Sequence, residues 1–270
     1  MSAIEQKPLG GSGGVAYASR ALLELYPRGL KLFVLAPLAL ALVILPEFLQ
    51  HIVEIRLGMF DSRAAFKAHQ LDAARMAFGY AKIAGLLLAF LASARFWWMY
   101  DGSGRWTDLR QVAWGRLAAG AAIFFGIGAL PELVKARLVP ATYQLVAIGW
   151  SLIFLPFLFL LLAGLFNDRS TRISEMVKRS WPWLLLTALL AVFAFAPSSW
   201  LHQMNHHWAL GAPPAVVWGL MIFDSLLVGL MAGLTGTAFY LGYAGFAQSA
   251  EQRAAKDPIS VEGESRACDG

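Results

Sequence analysis

VPATYQLVAIGWSLIFLPFLFLLLAGLF, residues 139–166, contains no Asp, Glu, Lys or Arg. A helix that crosses a bilayer needs about 20 mainly apolar residues, because it must cover about 30 Å of hydrocarbon at 1.5 Å per residue. This stretch exceeds that length. WPWLLLTALLAVFAFAPSSWL, residues 181–201, meets it with the same absence of charge. Lipid offers the backbone no hydrogen bonds, so segments of this kind are predicted to be helices, and the fold class is all-α: a polytopic bundle of membrane helices.

Working outward, the same test predicts six spans, over residues 30–48, 78–100, 112–134, 141–166, 181–201 and 215–247. Composition agrees. Of the 270 residues 58% are hydrophobic and 14% charged, with a mean hydropathy of +0.58; a soluble domain carries about 25% charged residues. The span over 78–100 is the shortest on apolar length, since twelve uncharged residues separate Lys82 from Arg95. It is predicted to cross by extending both long side chains toward opposite interfaces, with Trp97, Trp98 and Tyr100 in the headgroup zone.

The loops set the orientation. One side, which holds both termini, collects fifteen of the 22 Lys and Arg, and the other collects seven. Positive charge accumulates on the cytoplasmic side, so the expected location is a bacterial-type plasma (inner) membrane with both termini cytoplasmic. The expected organisation is a tail with an interfacial helix over 1–28, a six-span membrane domain over 29–247 and a disordered polar tail over 248–270. The apolar block that starts at Leu30 is expected to be retained as the first span.

A net charge of +5 does not indicate nucleic acid, because the basic residues are scattered at segment ends and form no stripe. Arg105 and Arg110 near Trp106 and Trp114, and Lys178 and Arg179 near Trp181 and Trp183, instead suit anionic headgroups. The expected partners are membrane lipids, with other membrane proteins or a second copy beside them. The single cysteine, Cys268, excludes an intrachain disulfide and a thiolate metal knuckle.

A weak internal repeat runs through the odd-numbered spans. Their outer ends read Leu45-Pro46-Glu47, Leu130-Pro131-Glu132 and Ala196-Pro197-Ser198, and each span follows an amphipathic or polar segment. Three units of surface helix plus two spans are the architecture this pattern suggests.

Candidate chemistry gathers on the outer side. All five histidines fall there in this topology. Glu47, His51 and Glu54 stand at i, i+4 and i+7, one face of a helix, and His202 and His206 repeat the i, i+4 spacing on a second element. Imidazole and carboxylate at these spacings form a candidate site for Zn²⁺, or for copper with Met204 nearby. Against this stands the absence of a HExxH or comparable signature, and interfacial histidines also serve to bond water and headgroups. Asp224 is the second candidate. It lies in a span otherwise free of charge, where an acidic side chain costs about 2.5–3.5 kcal/mol and demands a partner. Lys82 is the expected partner and Ser225 a neighbour; together they suggest a proton or cation relay or a buried packing contact. Pro37 and Pro156 fall inside predicted spans, where proline breaks backbone hydrogen bonding.

No GxSxG elbow, phosphate-binding GKS/T loop or GxGxxG turn is present, and an activated serine needs an adjacent base. The sequence reading is therefore a multi-pass membrane protein without enzymatic activity, an accessory, assembly or lipid-interacting component. Its alternatives are a small-solute or ion transporter using Asp224 and an outer-face metal-binding protein.

Overall fold

The computed structural model describes residues 14–256 apart from Ser103. The glycine-rich tail before Gly14 and the C-terminal tail with Cys268 lie outside the described residues. Those described are helical or in short connections, with no strand among them.

The helices run in the order α1 (Gly14–Leu35), α2 (Pro37–Arg56), α3 (Arg63–His69), α4 (Ala73–Asp101), α5 (Trp114–Ala121), α6 (Pro140–Phe154), α7 (Pro156–Phe166), α8 (Ile173–Arg179), α9 (Trp181–Ala209) and α10 (Pro214–Lys256). Five helical stretches are long and apolar enough to cross a membrane: α2, α4, Trp114–Arg137, α9 and α10. The bent pair of α6 and α7, which meets at 40°, raises this to six. The chain is thus an all-α protein whose helices fit a multi-pass membrane protein.

Several boundaries differ from the sequence expectation for local reasons. The interfacial helix expected within residues 1–28 does not end there; α1 continues to Leu35, and the break falls at Ala36, whose φ of −142° is non-helical because Pro37 follows it. Pro37 and Pro156 each begin a helix rather than interrupt one, since the missing N–H is no loss at a first-turn position. The third span is not a regular α-helix. After Ala121 it widens to a π turn over Ala122–Ile127 and tightens to a 3₁₀ segment over Leu130–Arg137. Its glycines, Gly126 and Gly128, and Pro131 hold the α geometry weakly. The α10 helix continues to Lys256, so residues 248–256, expected to be disordered, are helical.

The chain divides into two compact units, Met1–Asp108 with Thr187–Tyr240, and Leu109–Leu186 with Leu241–Gly270. In the first unit α2 lies against α4 over a core of Val43, Ala89, Val228, Met231 and Ala232. Contact is closest at Gly85, where an added Cβ would stand 2.1 Å from the Leu42 carbonyl oxygen. Small residues at such crossings let helix backbones approach where lipid supplies no hydrophobic drive. A second cluster of Phe60, Ala209, Val217 and Met221 joins the turn after α2 to α9 and α10. At the other end of the unit, Arg28 donates to Glu24 and Asp101, each at 2.8 Å. Its guanidinium stacks over the Trp97 and Tyr240 rings. Burial alone would lower the pKa of Arg28, but the two carboxylates outweigh it and raise it.

In the second unit Gly164 brings α7 onto α5: a Cβ there would meet the Leu117 nitrogen at 2.2 Å. Phe159, Phe166, Tyr243 and Phe246 form its aromatic core. Asn167 closes α7 in the left-handed conformation, with φ of 58°. The following Asp168 accepts from the Ser170 and Thr171 hydroxyls and from Tyr243. These bonds outweigh burial and hold its carboxyl below the usual carboxylate range.

Candidate functional site

The first unit contains a polar cluster built from four helices. From α2 come Glu47, Gln50, His51 and Glu54, from α4 Arg75 and Lys82, from α9 His202, Asn205 and His206, and from α10 Asp224. Glu47, His51, Glu54, Asn205 and Asp224 are fully buried. Burying carboxylates in apolar surroundings is costly unless each is paired, so the pairing is the informative feature.

Helix α2 runs unbroken through Pro46, and the i, i+4, i+7 spacing turns Glu47, His51 and Glu54 inward together. His51 lies at their centre. Its Nδ1 is 2.9 Å from Glu54 Oε2, while its Nε2 lies 3.3 Å from Glu47 Oε1 and 3.1 Å from Asp224 Oδ2. Glu54 is held further by Arg75 Nε at 2.8 Å and Gln50 Nε2 at 2.9 Å, both donating to Oε1. Asp224 Oδ2 faces His202 Nδ1 at 2.7 Å and His206 Nε2 at 3.6 Å, and its Oδ1 accepts from Asn205 Nδ2 at 2.8 Å. The His206 ring packs near those of His51, His202 and Phe60. Its Nδ1 is buried with no hydrogen-bond partner.

The structure thus brings the residues of both sequence-derived candidates into one place. Asp224, considered with Lys82 and Ser225, sits instead among the histidines. Lys82 does not pair with Asp224: its ammonium lies 2.9 Å from Glu47 Oε2. Its side chain is partly exposed, with the ammonium directed to the buried Glu47 carboxylate. Ser225 donates to the Met221 carbonyl of its own helix, the usual back-bond of a helical serine, and is not aimed at the cluster. Arg95, the other side chain expected to extend outward, is buried and donates to the backbone oxygens of Trp106 and Asp108.

Sequence reasoning missed Gln50, Arg75 and Asn205. The first two carried a readable signal: Gln50 precedes Glu54 by one helical turn, and Arg75 follows the Asp72 cap that starts α4. Asn205 between two histidines carried none.

Chemically, three buried carboxylates face two permanent cations and three imidazoles. Arg75 neutralises Glu54 and Lys82 neutralises Glu47. Among the described residues, Asp224 has no lysine or arginine partner. With neutral histidines the cluster is one positive charge short. Four of its side chains, Glu47, His51, His206 and Asp224, each offer a donor atom, and these atoms all lie within 4.8 Å of one another.

Compared with known proteins, the chain matches no family model, no curated protein and no solved structure, so this geometry alone carries the functional reading.

Proposed function

We propose that the protein is a multi-pass inner-membrane protein that handles a cation at Asp224. The observation that carries this reading is three fully buried carboxylates gathered about His51 with only one lysine and one arginine among them, so that the third positive charge must come from a proton on the histidines or from a bound cation. An uncompensated charge inside a membrane segment is expensive and marks ion or proton pathways by default. The missing positive charge is supplied by the cation or proton that the protein binds and passes on. Asp224 lies ten residues into α10, about 15 Å from its first turn, which suits a site reached from within the bilayer.

Both termini are cytoplasmic in this proposal, as the fifteen-to-seven division of Lys and Arg indicates. The cluster then lies toward the outer half of α2, α9 and α10, and Lys82 and Arg75, each partly exposed, stand at its outer mouth.

The test is reconstitution into vesicles with measurement of proton and metal-cation flux. Asp224→Asn keeps the shape and the acceptor facing Asn205 but removes the charge. It is expected to abolish flux while inserting and eluting as the wild type does. Undiminished flux in a well-folded Asp224→Asn variant would remove the reading.

A further inference from the structure

We propose that the cation is a divalent transition metal of the zinc class, bound by Glu47 Oε1, His51 Nε2, His206 Nε2 and Asp224 Oδ2. This rests on the cation-handling reading above and names the cation for that same site. The first argument is metric. A tetrahedral ion with ligand bonds of about 2.0–2.1 Å sets its ligands about 3.3–3.4 Å apart. His51 Nε2 stands 3.3 Å from Glu47 Oε1 and 3.1 Å from Asp224 Oδ2, and His206 Nε2 stands 3.6 Å from the same Asp224 oxygen. All four donor atoms lie within 4.8 Å of one another, so an approach of at most about 1.4 Å in any pair closes them on one ion.

The second argument is the donor set. Two imidazole nitrogens with two carboxylate oxygens match the preference of zinc and its neighbours, whereas magnesium and calcium take oxygen ligands throughout. The absence of thiolate or thioether among the four disfavours cuprous copper.

The third argument is the support behind the ligands. A histidine that binds metal through one nitrogen generally gives its other N–H to a carboxylate, which fixes the ring and its tautomer. His51 meets that condition, with Nδ1 2.9 Å from Glu54 Oε2 and Glu54 itself fixed by Arg75 and Gln50. Asp224 is oriented in the same way by Asn205 and His202. Glu54, Asn205 and His202 are therefore positioning residues. The Lys82 ammonium is nearest Glu47 Oε2, and Oε1 is the oxygen turned to His51. The lysine neutralises the carboxylate and also donates to Oε1 at 3.3 Å, a longer contact that the ion would replace while the 2.9 Å contact to Oε2 remains.

The experiment uses the purified full chain in detergent with Co²⁺ and Zn²⁺ as probes. One equivalent of Co²⁺ should bind with the intense visible absorption of a tetrahedral site, and Zn²⁺ should displace it. His206→Gln and His51→Gln should each abolish the tetrahedral spectrum. Glu54→Gln should weaken binding about 10–100-fold while keeping the spectrum, a split that nonspecific destabilisation would not give. Size-exclusion elution reports folding, and His206→Gln, at a partly exposed position, is the variant least burdened by core damage. A tetrahedral spectrum that survives in the His51→Gln/His206→Gln double variant overturns the ligand assignment. If neither metal binds while Asp224-dependent flux of protons or monovalent cations persists, the zinc-class assignment falls and the cation-handling reading stands. If neither binding nor flux is found, both fall.

Discussion

His51 Nε2 and Asp224 Oδ2 lie 173 residues apart in the chain and 3.1 Å apart in the folded protein. This contact joins α2 to α10 at the point where Glu47 of α2 also faces Asp224, their donor atoms within 4.8 Å of each other. Removing Asp224 altogether leaves the buried Asn205 and the partly buried His202 without their acceptor, while His51 keeps Glu47 and Glu54. Each buried group so orphaned costs about 1–3 kcal/mol. Asp224→Ala is therefore expected to lower the thermal midpoint in detergent well below that of Asp224→Asn. Equal midpoints would show that the acceptor geometry contributes nothing.

Lys82 and Glu47 form a pair in which the carboxylate is fully buried and the ammonium partly exposed. Breaking a buried pair from one side strands the other charge, at about 3–5 kcal/mol, whereas replacing both partners is often close to neutral. Lys82→Met alone should be strongly destabilising, and Lys82→Met with Glu47→Gln should recover most of the loss. A double-mutant cycle on unfolding midpoints measures the coupling; additive losses would contradict the pairing.

Gly85 allows α4 to approach the Leu42 carbonyl of α2. Even one methyl group there must push backbone apart, and overpacking of this kind costs about 1–3 kcal/mol. Gly85→Ala is expected to destabilise the first unit. It should also reduce flux or metal binding, because the α2 carboxylates would move away from Lys82 and Arg75. Gly79→Ala, which meets nothing closer than 3.8 Å, serves as the control on the same helix.

Asp168 has a carboxyl held below its ordinary value of 3.8. A group whose folded-state pKa is depressed contributes stability that is present above its unfolded pKa and lost as the pH falls through the folded one. The second unit should therefore lose stability as the pH drops through about 4 and below, and Asp168→Asn should lose that contribution at neutral pH and flatten the acid limb. Thermal midpoints of both proteins between pH 3 and 7 check this; parallel curves would sink it.

The proposed orientation is tested by labelling single cysteines introduced into a Cys268→Ser background. Ser62→Cys, between α2 and α3, should react with a membrane-impermeant maleimide added outside intact cells. Asp108→Cys, on the connection before α5, should react only after the membrane is opened. The reverse pattern would invert the topology.

The membrane class, the all-α fold with five or six apolar spans and the Glu47, His51, Glu54 face were legible in the chain itself, because length, apolarity and a 3.6-residue period are local properties. So were the break-prone positions at Pro37 and Pro156, although their side of each helix boundary was not. What only the tertiary structure decided is which helix faces meet. That depends on the rotation of each helix about its own axis, and side-chain packing such as Gly85 on Leu42 and Gly236 on Phe90 sets it. No linear pattern encodes that rotation. Lys82 therefore turns to Glu47 rather than Asp224, and Asp224 closes on the histidines, since a buried carboxylate is stable only beside whichever donors the packing delivers.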